Sequence, residues 1–195
     1  MTRTIEWRNF SELFEDCNEL VSSGILASWR PVTSYIYKDN PLQHPSLIIG
    51  VPRAGLLAAL YVSEQTGIPA ISLDDFLDGR SGYHGGRRVK YRTDLSEKRW
   101  ILILDDSFSD GNTYKMIRSR IATSPTATAL TIENKIQYGV IYGSSKAIDH
   151  NVHVFREVKT PRMFEWSIQG RRELASTLLD IDGLLYPIVT GNFHK

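Results

Sequence analysis

Apolar residues in this chain recur in two rhythms. Between Asn9 and Ser22, the residues Phe10, Leu13, Phe14, Cys17, Leu20 and Val21 fall at helical spacing, which predicts an amphipathic helix. Asn9 with Glu12 supplies a capping box at its start and Gly24 a stop. Elsewhere the apolar residues gather in short runs of strand length: Leu47 to Ile49, Ala70 to Leu73, Trp100 to Leu104, Ile136 to Tyr142 and Val152 to Phe155. Helical stretches separate several of these runs. One passes through Leu56 to about Thr66, with Gly67 as its C-terminal cap. Another starts near Thr113, carries Met116, Ile117 and Ile121 on one side, and ends before Pro125. Thr33 to Lys38 reads as a further short strand, and Thr126 to Asn134 fits helix or strand alike. Alternation of this kind predicts an α/β fold with an open, mostly parallel sheet flanked by helices.

Composition narrows this picture. The 195 residues suffice for one α/β domain and are short for two. A formal charge of +1 gives no global drive toward nucleic acid or membrane. No apolar run approaches the roughly 20 residues of a membrane span, and the N-terminus lacks the apolar core of a signal peptide, so a cytoplasmic location is expected. Cys17 is the single cysteine, which excludes a disulfide framework and a cysteine metal site. His44, His84, His150, His153 and His194 show no metal-ligand spacing; His150 and His153 flank a predicted strand as surface or packing residues. Gly-Lys-Ser and Gly-x-Gly-x-x-Gly phosphate loops are absent.

Three segments carry candidate chemistry. In Ile101 to Thr113 an apolar strand ends in Asp105 and Asp106, and the turn Ser109-Asp110-Gly111-Asn112-Thr113 feeds a helix. Ligands of open α/β sheets bind at the carboxyl ends of the strands. A small-residue turn entering a helix offers backbone N–H groups to an anion, and adjacent carboxylates beside it suit a polyhydroxylated sugar, with or without a divalent cation. Together they predict a sugar-phosphate site. A second strand–turn–helix contains Pro52-Arg53-Ala54-Gly55. Between the two, Gly79 to Arg92 is rich in glycine and carries Arg87, Arg88, Lys90 and His84; a long segment of this kind reads as an anion-binding lid.

The first segment resembles the phosphoribosyl-diphosphate (PRPP) motif of the type I phosphoribosyltransferases. In that family the acidic pair holds the ribose hydroxyls and the following loop holds the 5-phosphate. By this resemblance Asp105 and Asp106 take the ribose, and Ser109, Asp110, Gly111, Asn112 and Thr113 the phosphate. Phe108 stands where the family usually has a smaller aliphatic residue, and Asp110 where it has Ser or Thr. Pro52 to Gly55 resembles the family's diphosphate loop, with Ala54 in place of a more usual Gly or Ser. The cationic segment lies where the family carries its mobile catalytic loop. In orotate-type members a Lys, an Arg and a His of that loop reach the diphosphate, which makes Arg87, Arg88, Lys90 and His84 candidates here.

The resemblance implies a single domain over residues 1–195 with its core at about 40–158. The N-terminal helix and the C-terminal segment would lie over the sheet or form a small hood. It implies Mg²⁺, held mainly by PRPP itself with Asp105 and Asp106 as candidate further ligands, a nitrogenous base as acceptor, and a homodimer. Two rivals stand beside this reading: a non-catalytic sensor of PRPP or a nucleotide, and a transferase with an acceptor other than a base. Near the C-terminus, Thr160 to Trp166 forms an aromatic, charged patch, and Asp180-Ile181-Asp182-Gly183 after Leu178-Leu179 resembles the first motif of haloacid-dehalogenase-like phosphatases. Only 13 residues follow Asp182, too few for the remaining phosphatase motifs, so this segment reads as a remnant, a truncation or chance.

Overall fold

The computed structural model describes residues 5–30, 44–80, 82–84, 87–89, 100–125 and 136–170, of which 82–84, 87–89 and 168–170 are described by backbone alone. The expected strand at Thr33 to Lys38, the ambiguous Thr126 to Asn134 and the Asp180–Gly183 motif lie outside them.

Five parallel strands form the core: β2 (Leu47–Gly50), β3 (Ala70–Ser72), β6 (Ile101–Ser107), β7 (Ile136–Gly143) and β8 (His153–Glu157). They lie in the order β3-β2-β6-β7-β8. A hairpin, β4 (Gly82–His84) and β5 (Arg87–Val89), adds two antiparallel strands beyond β3. The segment expected as an irregular lid is therefore in part the edge of the sheet. The strands β2 and β6 are buried along almost their whole length, as parallel strands covered on both faces must be.

The β2–β3 and β6–β7 connections run in opposite directions across the sheet, and with the right-handed crossover that parallel strands favour this puts their helices on opposite faces. Helix α3 (Ala54–Thr66) links β2 to β3 and packs Ala58, Ala59 and Val62 with Ile48, Leu102 and Leu104. Gly67 closes it in the left-handed conformation, at φ 72°. Helix α1 (Phe10–Ser22) lies on the same face through Leu13, Cys17 and Leu20. The Asn9–Glu12 capping box is formed in both directions, worth about 1 kcal/mol. Burial pushes the Cys17 thiol up to about 12, so it is an inert packing group. On the other face lie α4 (Leu73–Leu77) and α5 (Asn112–Thr123). In α5 the buried face is Tyr114, Ile117 and Ile121, whereas Met116 is 52% exposed. The expected apolar side was thus displaced by one residue type: Tyr114, at i−3 from Ile117, faces the core and anchors its hydroxyl on the Gly139 carbonyl at 3.2 Å.

A second, two-stranded parallel sheet pairs β1 (Glu6–Arg8) with β9 (Arg162–Phe164). A 3-10 turn, Glu165–Gly170, follows β9 and brings Trp166 into the cluster that contains Tyr142 and Phe164. Helix α2 (Ile25–Ser28) contributes Leu26 to the same core.

Candidate functional site

The parallel strands, counted along the chain, run 2-1-3-4-5 across the sheet. Their order reverses between β2 and β6, and ligands of doubly wound sheets bind at such a reversal, outside the carboxyl ends of the strands. The turn after β2 and the turn after β6 are the two sequence motifs, so the topology brings them side by side. The contact is direct: a Cβ added at Gly55 would lie 2.6 Å from Asp105 Oδ1 and 2.7 Å from its Cα. Only a residue without a side chain lets the start of α3 approach the acidic strand this closely.

The strand β6 runs further than the apolar pattern predicts. It carries Asp105 and Asp106 within it and ends at Ser107, since pairing with β7 continues through Ser107 and Tyr142. Both carboxylates are consequently buried, at 7% and 8% exposure. The Asp106 backbone N–H donates to Asp105 Oδ1 at 2.8 Å. Burial first, and then the charge of Asp106, push Asp105 well above the usual carboxylate range. Asp106 has a second partner, which the sequence reading did not assign: the Trp166 indole N–H donates to its Oδ2 at 2.6 Å. The guanidinium of Arg162, from the same segment, donates to the Phe108 carbonyl. Burial lowers the Arg162 pKa, and the nearby Asp106 and Glu6 oppose that.

The turn that follows has Gly111 in the left-handed conformation, at φ 80°, at the N-terminus of α5. Asp110 is exposed and folds back onto this turn: its Oδ1 accepts from the Asn112 backbone N–H at 3.0 Å and its Oδ2 from Asn112 Nδ2 at 2.7 Å. One of the amides that opens the helix is thereby occupied by the chain's own carboxylate. Phe108 is buried and tilts against the His150 ring at 5.3 Å. That ring also covers Gly111, where an added Cβ would meet it at 2.4 Å. His150 is thus a packing residue of the turn after β6, and His153 packs against the core by stacking on Trp29 at 5.5 Å. Burial lowers the His153 pKa.

The first turn differs in character. Pro52 and Arg53 are exposed, and the peptide between them is cis. Val51 N–H bonds to the Leu104 carbonyl at 3.0 Å, which ties this turn to β6. Ala54 and Gly55 form the first turn of α3, where backbone N–H groups have no partner within the helix. His84, Arg87 and Arg88 sit in the edge hairpin, their side chains outside the described residues, and Lys90 lies wholly outside them. Of the expected site residues, the structure therefore brings together Asp105, Asp106, Ser109 to Thr113 and Pro52 to Gly55. Among the described residues no cluster of three or more His, Cys, Asp or Glu could hold a metal ion, and no helix is long and apolar enough to cross a membrane.

This sheet, with its two turns at the reversal, is the type I phosphoribosyltransferase fold. Similar solved structures include the xanthine-guanine-hypoxanthine phosphoribosyltransferase of Helicobacter pylori, at TM-score 0.50 and 11% identity over 90% of this chain and 100% of that one. A purine phosphoribosyltransferase from Pyrococcus horikoshii has TM-score 0.49 and 18% identity over 84% and 94% of the two chains. A hypothetical protein from Neisseria gonorrhoeae with bound ppGpp has TM-score 0.49 and 12% identity over 95% and 96%. At these identities the likeness is one of fold. No family model and no curated protein matches the chain.

Proposed function

We propose that this protein binds PRPP and transfers its phosphoribosyl group to a nitrogenous base, releasing diphosphate. The observation that carries the reading is the contact of Gly55 with Asp105, which sets a cationic turn with open helix amides against a buried acidic pair. In this reading Asp105 and Asp106 hold the ribose hydroxyls and face the positive charge that grows on the ring as diphosphate leaves. Arg53 and the amides of Ala54 and Gly55 meet the developing charge on the leaving group, an arrangement fixed in advance of the reaction. Residues 109–113 hold the 5-phosphate at the start of α5, where the helix dipole favours an anion. His84, Arg87 and Arg88 belong to the hairpin at the sheet edge and, with Lys90, would supply cations to the diphosphate, which is also the basis for an orotate-like acceptor.

The acidic pair suits Mg²⁺ only as a partial ligand set. One oxygen of each carboxyl already accepts a hydrogen bond, and Mg²⁺ keeps several waters and prefers substrate phosphates. Bound with PRPP, the ion would neutralise the diphosphate. Asp110 favours a second reading, a PRPP or nucleotide sensor, because its carboxylate fills part of the phosphate turn. Calorimetric titration with PRPP, with and without Mg²⁺, tests the site; a screen of bases for diphosphate release then separates enzyme from sensor. Folded protein that takes up no PRPP in either condition would end the transferase reading and leave a nucleotide sensor, which titration with nucleotides then tests.

A further inference from the structure

Trp166 has no assigned role in phosphoribosyl transfer, yet its indole N–H bonds directly to one of the acidic pair. Both partners are buried, and the indole N–H to carboxylate distance is 2.6 Å, the short length of a charge-assisted bond.

The direction of the donor is fixed from several sides. The Trp166 ring stacks on Phe164 at 5.0 Å and on Tyr142 at 5.9 Å, and Phe10 tilts against it at 5.8 Å. Its neighbour Glu165 accepts from the Phe10 backbone N–H at 2.8 Å, which ties the segment to the start of α1. Arg162 hooks the same segment to the Phe108 carbonyl, two residues beyond Asp106. Strand alternation places Asp106 on the face of Leu102 and Leu104, whose cluster includes Trp166. Asp105 Oδ1 accepts from the Asp106 backbone and Asp106 Oδ2 from Trp166. One oxygen of each side chain is thus committed within the fold, and the other is what two neighbouring sugar hydroxyls would meet.

We infer that Trp166 is a positioning residue of the sugar subsite: its indole N–H holds the Asp106 carboxylate in the orientation that receives a ribose hydroxyl. The inference rests on the phosphoribosyl reading and adds to it a residue from outside both loops. A ligand on the acidic pair also acts on a neighbour of the indole, which makes Trp166 a reporter of occupancy.

The test pairs wild type with Trp166→Phe, which keeps an aromatic ring in the stack and removes the donor. Titration with Mg²⁺ and PRPP should show about tenfold weaker binding for the variant, the scale of one hydrogen bond to a charged group, with the melting temperature little changed. Equal affinities would overturn the inference and leave the phosphoribosyl reading standing; no binding by wild type would remove that reading and the inference with it. A second measurement serves if the variant does not fold. In the ¹H–¹⁵N spectrum of wild type, one indole signal should move when Mg²⁺ and PRPP are added and should be displaced in Asp106→Asn. Indole signals that ignore both changes would overturn the inference.

Discussion

The turns after β2 and β6 share one plan, strand then turn then helix, yet the protein treats them oppositely. The first keeps Pro52 and Arg53 in solvent and presents the start of α3 beside Asp105. The second is largely occupied by the protein itself. Asp110 takes the Asn112 amide, Trp166 takes Asp106, Arg162 takes the Phe108 carbonyl and His150 covers Gly111. On the proposed reading an anion would meet the first turn as it stands, whereas at the second it would compete with a carboxylate already in place. The selectivity of the site should therefore reside in the second turn and its charge attraction in the first.

Removing both acidic groups is expected to have the largest effect. Asp105→Asn with Asp106→Asn should lower diphosphate release by ~100-fold or more; a double variant that keeps wild-type turnover would remove the acidic pair from the chemistry. Next is Gly55→Ala. Its Cβ would sit 2.7 Å from the Asp105 backbone and 2.9 Å from the Leu104 carbonyl, contacts that no side-chain rotation relieves. We expect about 2 kcal/mol of lost stability in urea unfolding, with loss of PRPP binding. An unchanged unfolding midpoint would mean that the two turns are not pressed together.

Asp105→Asn alone should work in the other direction on stability. The folded state holds the Asp105 proton more tightly than the unfolded chain, whose ordinary value is 3.8. As pH rises above that value the unfolded state releases its proton first, so stability falls with rising pH. The neutral amide escapes this cost. Melting at pH 7 should rise by roughly 2–4 °C, the equivalent of about 1 kcal/mol for a chain of this length, and the gain should vanish near pH 4. A gain that persists there would point to packing instead of charge. The smallest expected effect sharpens the contrast between the turns. Asp110→Ser frees the Asn112 amide and should tighten PRPP severalfold, about 1 kcal/mol for one hydrogen bond to an anion, while Arg53→Gln should weaken it by a similar amount. If Asp110→Ser instead weakens binding, its carboxylate assists the ligand.

Much of the fold was legible because its signals are local. The capping box at Asn9, the apolar run before Asp105 and the Gly67 cap each depend on neighbours within a turn or a strand. The two turns were legible for the same reason. Their contact was not, because only the crossover of the sheet places Gly55 on Asp105. The extension of β6 through the acidic pair follows from pairing with β7, which no window around Asp105 contains. The Trp166 bond spans 60 residues; its single trace in the sequence was the aromatic, charged patch from Thr160 to Trp166. Met116 was misplaced on the core side of α5 because apolar character was given more weight than phase, and Tyr114 holds the position instead.

The pairing of β1 with β9 has a consequence for the order in which the molecule can be made. Glu6 aligns with Arg162 and Arg8 with Phe164, so the earliest described strand cannot find its partner until nearly all of the described chain has left the ribosome. By then β2 to β8 have emerged and can assemble. Trp166 emerges just after β9, so in a nascent chain Asp106 stands at the end of a completed sheet without its indole. Asp106 therefore gains its indole partner only as the two ends of the described chain come together, after the sheet that carries it can have formed.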